Sequence, residues 1–268
     1  MGRGFIRRIV AFQVLVGLAC LVATPATAQF SPNEMLCFGM LPGQADQLIA
    51  ACTAVIEAGG DVAKLSRAYC NRGTFNKERG HLARAIADYD EAVRLDPKSA
   101  QVHFCHGLGN LARNAFDAAI GDFNEALAHG PRSAAAVMAR GLAYRAKGDV
   151  DRAITDFDEA IRLEPANARA LNNRGVALTF RQDYDRAIDD FDGAIRIAPD
   201  YSGAFVNRGS AFVYKREFDR AIEDYDEAIR LDAKNTAAYQ GRGLAFRFKG
   251  DVTRANADFE QARKLMER

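Results

Sequence analysis

Residues 168–201 read ARALNNRGVALTFRQDYDRAIDDFDGAIRIAPDY. In the second half, Tyr184, Ala187, Ile188, Phe191, Ala194 and Ile195 fall on one face at helical spacing. Asp185 stands where that helix begins and is expected to cap it. Pro199 keeps it from running on. The first half is a second short helix with Gly175 inside it. A glycine there, facing Ala187 and Ala194, marks a close approach of two backbones, and the ring of Phe191 fills the space between them.

The same pattern recurs at a fixed period on both sides. Gly73, Gly107, Gly141, Gly175, Gly209 and Gly243 are each 34 residues apart. So are Ala85, Ala119, Ala153, Ala187, Ala221 and Ala255. An aromatic series runs Tyr89, Phe123, Phe157, Phe191, Tyr225 and Phe259, and a second alanine series runs Ala92, Ala126, Ala160, Ala194, Ala228 and Ala262. Pro97, Pro131, Pro165 and Pro199 close the first four units, and Ala233 takes that place in the fifth.

With units begun at Ser66, Ala100, Ala134, Ala168, Ser202 and Thr236, these series occupy positions 8, 20, 24, 27 and 32. That pattern resembles the tetratricopeptide repeat (TPR) family. The resemblance implies an all-α solenoid, a right-handed superhelix of antiparallel helix pairs A and B. Its units are 66–99, 100–133, 134–167, 168–201, 202–235 and 236–268. The departures are at position 4, where Trp is usual, and at position 7, where Leu is usual. Position 4 holds Tyr69, His103, Val137, Leu171, Phe205 and Tyr239, and position 7 holds Arg72, His106, Arg140, Arg174, Arg208 and Arg242.

Position 7 is basic in every unit, and position 23 is always acidic: Asp88, Asp122, Asp156, Asp190, Asp224 and Asp258. A periodic base opposite a periodic acid predicts a structural ladder between helices. Asp117, Asp151, Asp185 and Asp219 are expected to cap helix B. Arg79, Arg113, Lys147, Arg181, Lys215 and Lys249 end helix A, where cations suit the helix dipole. Asp158 with Arg162, and Asp226 with Arg230, stand four apart in the favourable order for local pairs.

The flanks read differently. Core positions 21 and 28 turn polar in the last unit, at Asn256 and Arg263, so its helix B is expected to cap the array. Residues 29–65 read as a degenerate N-terminal half-repeat. In it, a helix over 44–58 carries Ala51, Val55 and Ala58 in phase with the core, and Pro42-Gly43 blocks a full helix before it. Arg3, Arg7 and Arg8 precede an apolar run, Ile9–Val22, and Ala26-Thr27-Ala28 follows. This is the form of a signal peptide over residues 1–28, cleaved after Ala28, which sends the chain to the periplasm or outside the cell. A membrane anchor needs a longer run. A lipoprotein reading uses Cys20, where Gly17 stands in place of the usual Leu.

Losing the leader takes 36 basic residues to 33, against 35 acids. Without a basic tract, nucleic acid is not an expected partner. Export permits disulfides. Cys37 and Cys52 are the expected pair, whereas Cys70 and Cys105, near each other on neighbouring helices, either pair or stay as two buried thiols, the second reading being slightly preferred. No phosphate loop, nucleophile elbow or paired-cysteine motif is present. His103, Cys105 and His106 lie close together, but His103 holds a packing position and His106 replaces a ladder arginine. No metal, no cofactor and no catalytic residue are expected.

TPR arrays bind proteins, and the resemblance places the binding surface on helix A at positions 2, 5, 9, 12 and 13. Here position 13 becomes aromatic in the last three units, at Phe180, Tyr214 and Phe248. With Asn172, Val206 and Arg247 these form the candidate surface for a peptide or protein partner. The rings either anchor that partner or pack between units. Self-association would use the same groove or the array ends. The resulting expectation is a non-enzymatic scaffold of the bacterial envelope, the alternative being an outer-membrane lipoprotein assembly factor.

Overall fold

A computed structural model describes residues 30–267. The expected leader, its cleavage after Ala28 and Cys20 lie outside these residues. Among the described residues there are fourteen α-helices and no strand. A short hairpin, α1 (Pro32–Cys37) and α2 (Ala45–Ala58), leads the chain. Six helix pairs follow: α3 (Val62–Glu78) with α4 (Leu82–Leu95), α5 (Ala100–Ala112) with α6 (Phe116–His129), and α7 (Ala134–Lys147) with α8 (Val150–Leu163). Then come α9 (Ala168–Phe180) with α10 (Tyr184–Ile197), α11 (Ser202–Tyr214) with α12 (Phe218–Leu231), and α13 (Thr236–Phe248) with α14 (Val252–Met266). Odd-numbered helices from α3 onward are helices A. Each touches the next helix A, whereas successive helices B do not touch. The array therefore curves towards its helix A side.

The core is built as the period requires. All six alanines at position 20 and all six at position 27 are buried. The ring at position 24 lies on the glycine of its own helix A: a Cβ on Gly175 would stand 2.6 Å from Phe191. Tyr225 is pinned on both sides, by Gly209 of its own unit and Gly241 of the next. Tyr89 sits likewise between Gly73 and Gly109. In the half-repeat Ala51 and Val55 are buried, but Ala58 is exposed and Cys52 fills the core instead.

Helix starts differ from the sequence expectation. Asp149 and Asp251, at position 16, cap their B helices by accepting from the backbone N–H of Arg152 and Arg254. Ser99, Ser133, Asn167 and Asn235 cap helices A. Asp117, Asp151, Asp185 and Asp219 lie inside the first turn, where the side chain points away from the free N–H groups. They pair instead with position 14 of the following unit: Lys147, Arg181, Lys215 and Lys249 respectively. The A–B turn has its own device. Position 15 is left-handed in all six units, as Gly80, Asn114, Gly148, Gln182, Arg216 and Gly250.

The ladder at position 7 is doubled. Arg174 Nη2 donates to Asp190 of its own unit at 2.6 Å, and Nη1 donates to Asp158 of the preceding unit at 2.6 Å. Arg208 joins Asp224 and Asp192, and Arg242 joins Asp258 and Asp226, in the same way. Arg140 uses Asn124 as its second partner, and Arg72 uses Thr53 of α2. Asp158 and Asp226 are thereby taken from their expected partners, and Arg162 and Arg230 turn to Glu159 and Glu227. The fork between two carboxylates holds its proton more tightly than a free guanidinium, chiefly through the hydrogen bond to the buried Asp.

Two disulfides tie the N-terminal side. Cys37–Cys52 joins α1 to α2, with Cα atoms 4.7 Å apart. Cys70–Cys105 joins α3 to α5, with Cα atoms 5.9 Å apart. The latter takes the pairing alternative in place of the slightly preferred reading of two buried thiols. Cys70 is at position 5 and Cys105 at position 6 of neighbouring A helices, and these positions face each other across the seam.

Three outcomes follow. Phe191→Ala empties a buried seat and is expected to cost about 3–5 kcal/mol; Gly175→Ala overpacks the same seat and should cost about 1–3 kcal/mol. Urea titration measures both. Second, denatured without reductant, Cys37, Cys52, Cys70 and Cys105 should show no thiol reaction with a chromogenic disulfide reagent. Two reactive thiols would remove one bridge. Third, His106 stands in the ladder between Asp122 (2.9 Å) and Asp90 (3.1 Å), with Asn110 and His103 against the same Asp122. The hydrogen bond to Asp122 raises its pKa. A raised pKa stabilises the fold fully below the unfolded value of about 6.5, and that stabilisation is lost as pH rises through the folded value. Relative to His106→Arg, the wild-type urea midpoint should therefore fall between mildly acidic and alkaline pH. Parallel curves would refute the assignment.

Candidate partner-binding groove

Helix A carries few exposed apolar groups in units one to three. Phe104, Leu108, Leu111, Met138 and Leu142 are partly buried and pack against the core. Units four to six differ. Phe180, Tyr214 and Phe248 are 71%, 61% and 57% exposed, and Leu244 beside them is 39% exposed. Position 13 ends helix A, so these rings stand one per unit along one edge of the face.

Two of them also pack. Tyr214 stacks on Tyr184, ring centroids 5.4 Å apart, and Phe248 stacks on Phe218 at the same distance. Each lower ring is position 17 of the preceding unit. Packing between units therefore describes one face of Tyr214 and of Phe248, while much of each ring remains open. Phe180 has Val150 at the equivalent place below it and is the most exposed of the three.

The rings frame two adjoining hollows. The smaller, about 160 Å³, lies between α9 and α11 and is lined by Val176, Thr179, Phe180, Asn207, Ser210 and Tyr214 among others. The larger, about 480 Å³, lies between α11 and α13, with Val206, Val213, Tyr214, Gln240, Leu244 and Phe248 on its walls. Ser210 and Tyr214 belong to both. A separate hollow of about 580 Å³ is bounded by the single turn Glu164–Arg169 and touches none of these residues.

Of the residues expected on this surface, Val206 is half-buried in the larger hollow and Arg247 is exposed beside Phe248. Asn172 is only 5% exposed; its Oδ1 accepts from Asn207 Nδ2 at 2.9 Å. It positions Asn207, and Asn207 reaches the hollow. Gln240, Leu244 and Ser210 occupy positions 5 and 9, which the period already places on this face. Tyr225 lacks such a signal: it is the core ring of α12, yet its hydroxyl edge reaches the larger hollow past Gly241 and bonds with Ser210 Oγ at 3.1 Å. Burial pushes its pKa up to about 12, so the phenol stays protonated at neutral pH.

The histidine cluster is engaged elsewhere. His103 Nε2 donates to the Pro97 carbonyl at 2.9 Å, His106 is held in the ladder, and Cys105 is in a disulfide. No grouping of three metal-ligating side chains occurs among the described residues, and no described helix is long and apolar enough to cross a membrane.

The tetratricopeptide repeat profile matches residues 76–134, 106–161, 138–202 and 206–267. A search of curated protein sequences returned no match. Among solved structures, MamA is 27% identical over 60% of this chain and 94% of its own, with a TM-score of 0.53. YrrB, described as a TPR protein with an unusual peptide-binding site, is 24% identical over 71% of this chain and 96% of its own, TM-score 0.53. A tetratricopeptide repeat protein from Parabacteroides merdae ATCC 43184 is 20% identical over 87% of this chain and 93% of its own, TM-score 0.69. The doubled helices, the ring on each glycine and the match along most of the sequence agree: the chain belongs to the tetratricopeptide repeat family.

Proposed function

We propose that this protein is a non-catalytic scaffold of a bacterial envelope that holds a peptide or partner protein in the groove across α9, α11 and α13. One observation carries the reading: three exposed rings in register frame two joined hollows on the side towards which the array curves. Aromatic side chains left open beside apolar hollows are what interface anchors require. YrrB, a chain of the same fold, is described as having a peptide-binding site, which supports this use of the scaffold. The family's members serve generally as scaffolds, and the buried acids along the repeats, Asp88, Asp156, Asp190, Asp224 and Asp258, are engaged in the ladder. Placement in the periplasm or outside the cell rests on the form of residues 1–28 and on two disulfides. Lipidation at Cys20 is the competing form of export, and the mass of the protein recovered from membranes separates it from cleavage after Ala28.

The test is affinity capture of the tagged protein from envelope extracts, beside the double variant Phe180→Ala/Tyr214→Ala. A retained partner should be weakened at least about tenfold, the loss expected for truncating one anchor. The same variant should lose about 1 kcal/mol or less of stability, since only the Tyr214–Tyr184 stack is removed from packing. Equal capture by both proteins would exclude the aromatic edge.

A further inference from the structure

Charge on the helix A side is one-sided. Positions 2, 5, 9, 12 and 13 of the six units carry Arg67, Lys77, Arg145, Arg169 and Arg247 but a single acid, Glu78 of unit one. The chain as a whole is close to balanced, with 36 basic and 35 acidic residues. The acids have been drawn to the B helices, where the ladder uses them.

Arg145 differs from the position 7 arginines of the array. The position 7 arginines of units one, three, four, five and six each hold at least one carboxylate. Arg145, on α7, is half-buried and forms no ion pair among the described residues. Its nearest polar partner is a neutral one, Asn173 Oδ1, at 3.5 Å from Nη1. Burial pulls its pKa down, and the phenol of Tyr201, the residue before α11, opposes that shift. A guanidinium drawn partly out of water without an anion is unfavourable by itself, and a planar carboxylate is the group its fork fits best.

The location matters as much as the charge. Asn173 is next to Asn172, which holds Asn207, and Asn207 lines the smaller hollow. The guanidinium thus meets, from the α7 side, the same helix α9 that walls the smaller hollow, while Arg247 stands beside Phe248 on α13. Neighbouring helices are spaced about 8–10 Å apart, so an extended chain of the polyproline-II kind, with about three residues per turn, uses about three residues per unit and turns every third side chain to the same face.

Resting on the groove reading above, we propose that the occupant is an acidic segment extended in the polyproline-II manner, with apolar side chains about every third residue on one face, its apolar groups seated in the two hollows and a carboxylate on Arg145. Charge complementarity favours an acidic partner over a basic one, and the two hollows require apolar side chains between the acids.

The probes are two fluorescein-labelled peptides of about twelve residues, long enough to cross four units, with Leu at every third position and either Asp or Lys between. Fluorescence anisotropy reads binding to the full array. The Asp peptide should bind more tightly than the Lys peptide and weaken with added salt. Arg145→Gln should weaken the Asp peptide about tenfold or more, with Arg145→Lys between the two, and Leu244→Asp should remove binding. Thermal melts of each variant confirm that the array is folded. If the Lys peptide binds as well, or if Arg145→Gln changes nothing while Leu244→Asp abolishes binding, the acidic assignment is overturned and the groove remains. If neither peptide is held, or if Leu244→Asp has no effect, the groove reading fails with it.

Discussion

Each unit is organised by an aromatic ring lying where another residue would carry its Cβ. Phe191 rests on the backbone of α9 because Gly175 leaves that surface bare, and the flanking alanines let the two helices close around it. A helix tolerates an interior glycine at a cost of about 1 kcal/mol against alanine, and here the contact with a fully buried ring offsets it. The ring's identity follows from position 9 of the same unit. Where position 24 is Tyr, position 9 is a hydroxyl residue: Tyr89 donates to Thr74, and Tyr225 pairs with Ser210. Where it is Phe, position 9 is Leu108, Leu142, Val176 or Leu244. A buried phenol needs a partner, a buried phenyl does not, and the sequence keeps the two cases apart.

The ring fixes how two helices meet, and the ladder fixes how units follow one another. Each position 7 side chain binds an acid of its own unit and a polar group of the segment before it, from Thr53 through Asp226. The carboxylate at position 23 is buried in every unit but the second, so its charge there is tolerable only with the fork in place. Burial alone pushes Asp224 upward against the pull of Arg208. Such a pair adds little net stability over a well-packed apolar substitute, but breaking it from one side is expensive, about 3–5 kcal/mol. That asymmetry penalises a shifted register more than it strengthens the native one. The ladder therefore specifies order in an array whose units are otherwise interchangeable.

Much of this was legible in the sequence because a repeat turns a weak local signal into the same signal six times. The core face, the glycine–ring contact and the acid–base ladder all come from position alone. What escaped involves the neighbouring unit. Asp158 reads as a local partner of Arg162 because spacing along one helix is all a linear reading supplies. In the folded array Arg174 approaches from the next unit with a better-placed fork. Asp151 reads as a cap, yet it sits inside the first turn and meets Arg181 of the next unit. Cys70 and Cys105 are 35 residues apart, one more than the period, and that extra residue moves the second sulfur from position 5 to position 6, across the seam from the first. The left-handed residue at position 15 is visible where it is glycine and hidden where it is Asn114, Gln182 or Arg216.

The same dependence on neighbours accounts for the groove's place in the last three units. Two of the three aromatics at position 13 are held: Tyr184 and Phe218 at position 17 fix Tyr214 and Phe248 by stacking from the preceding unit. A ring so fixed gives up little freedom when a partner covers its other face, and that lowers the entropic cost of association. In the first three units position 13 is Glu78, Ala112 and Ala146, and the apolar residues of helix A turn into the core. The array thus divides its surface by sequence while keeping one backbone plan. Units one to three turn the apolar side chains of their helix A face into the core. The second half keeps apolar groups open and rigid, with cations at either side and their usual acids committed to the ladder.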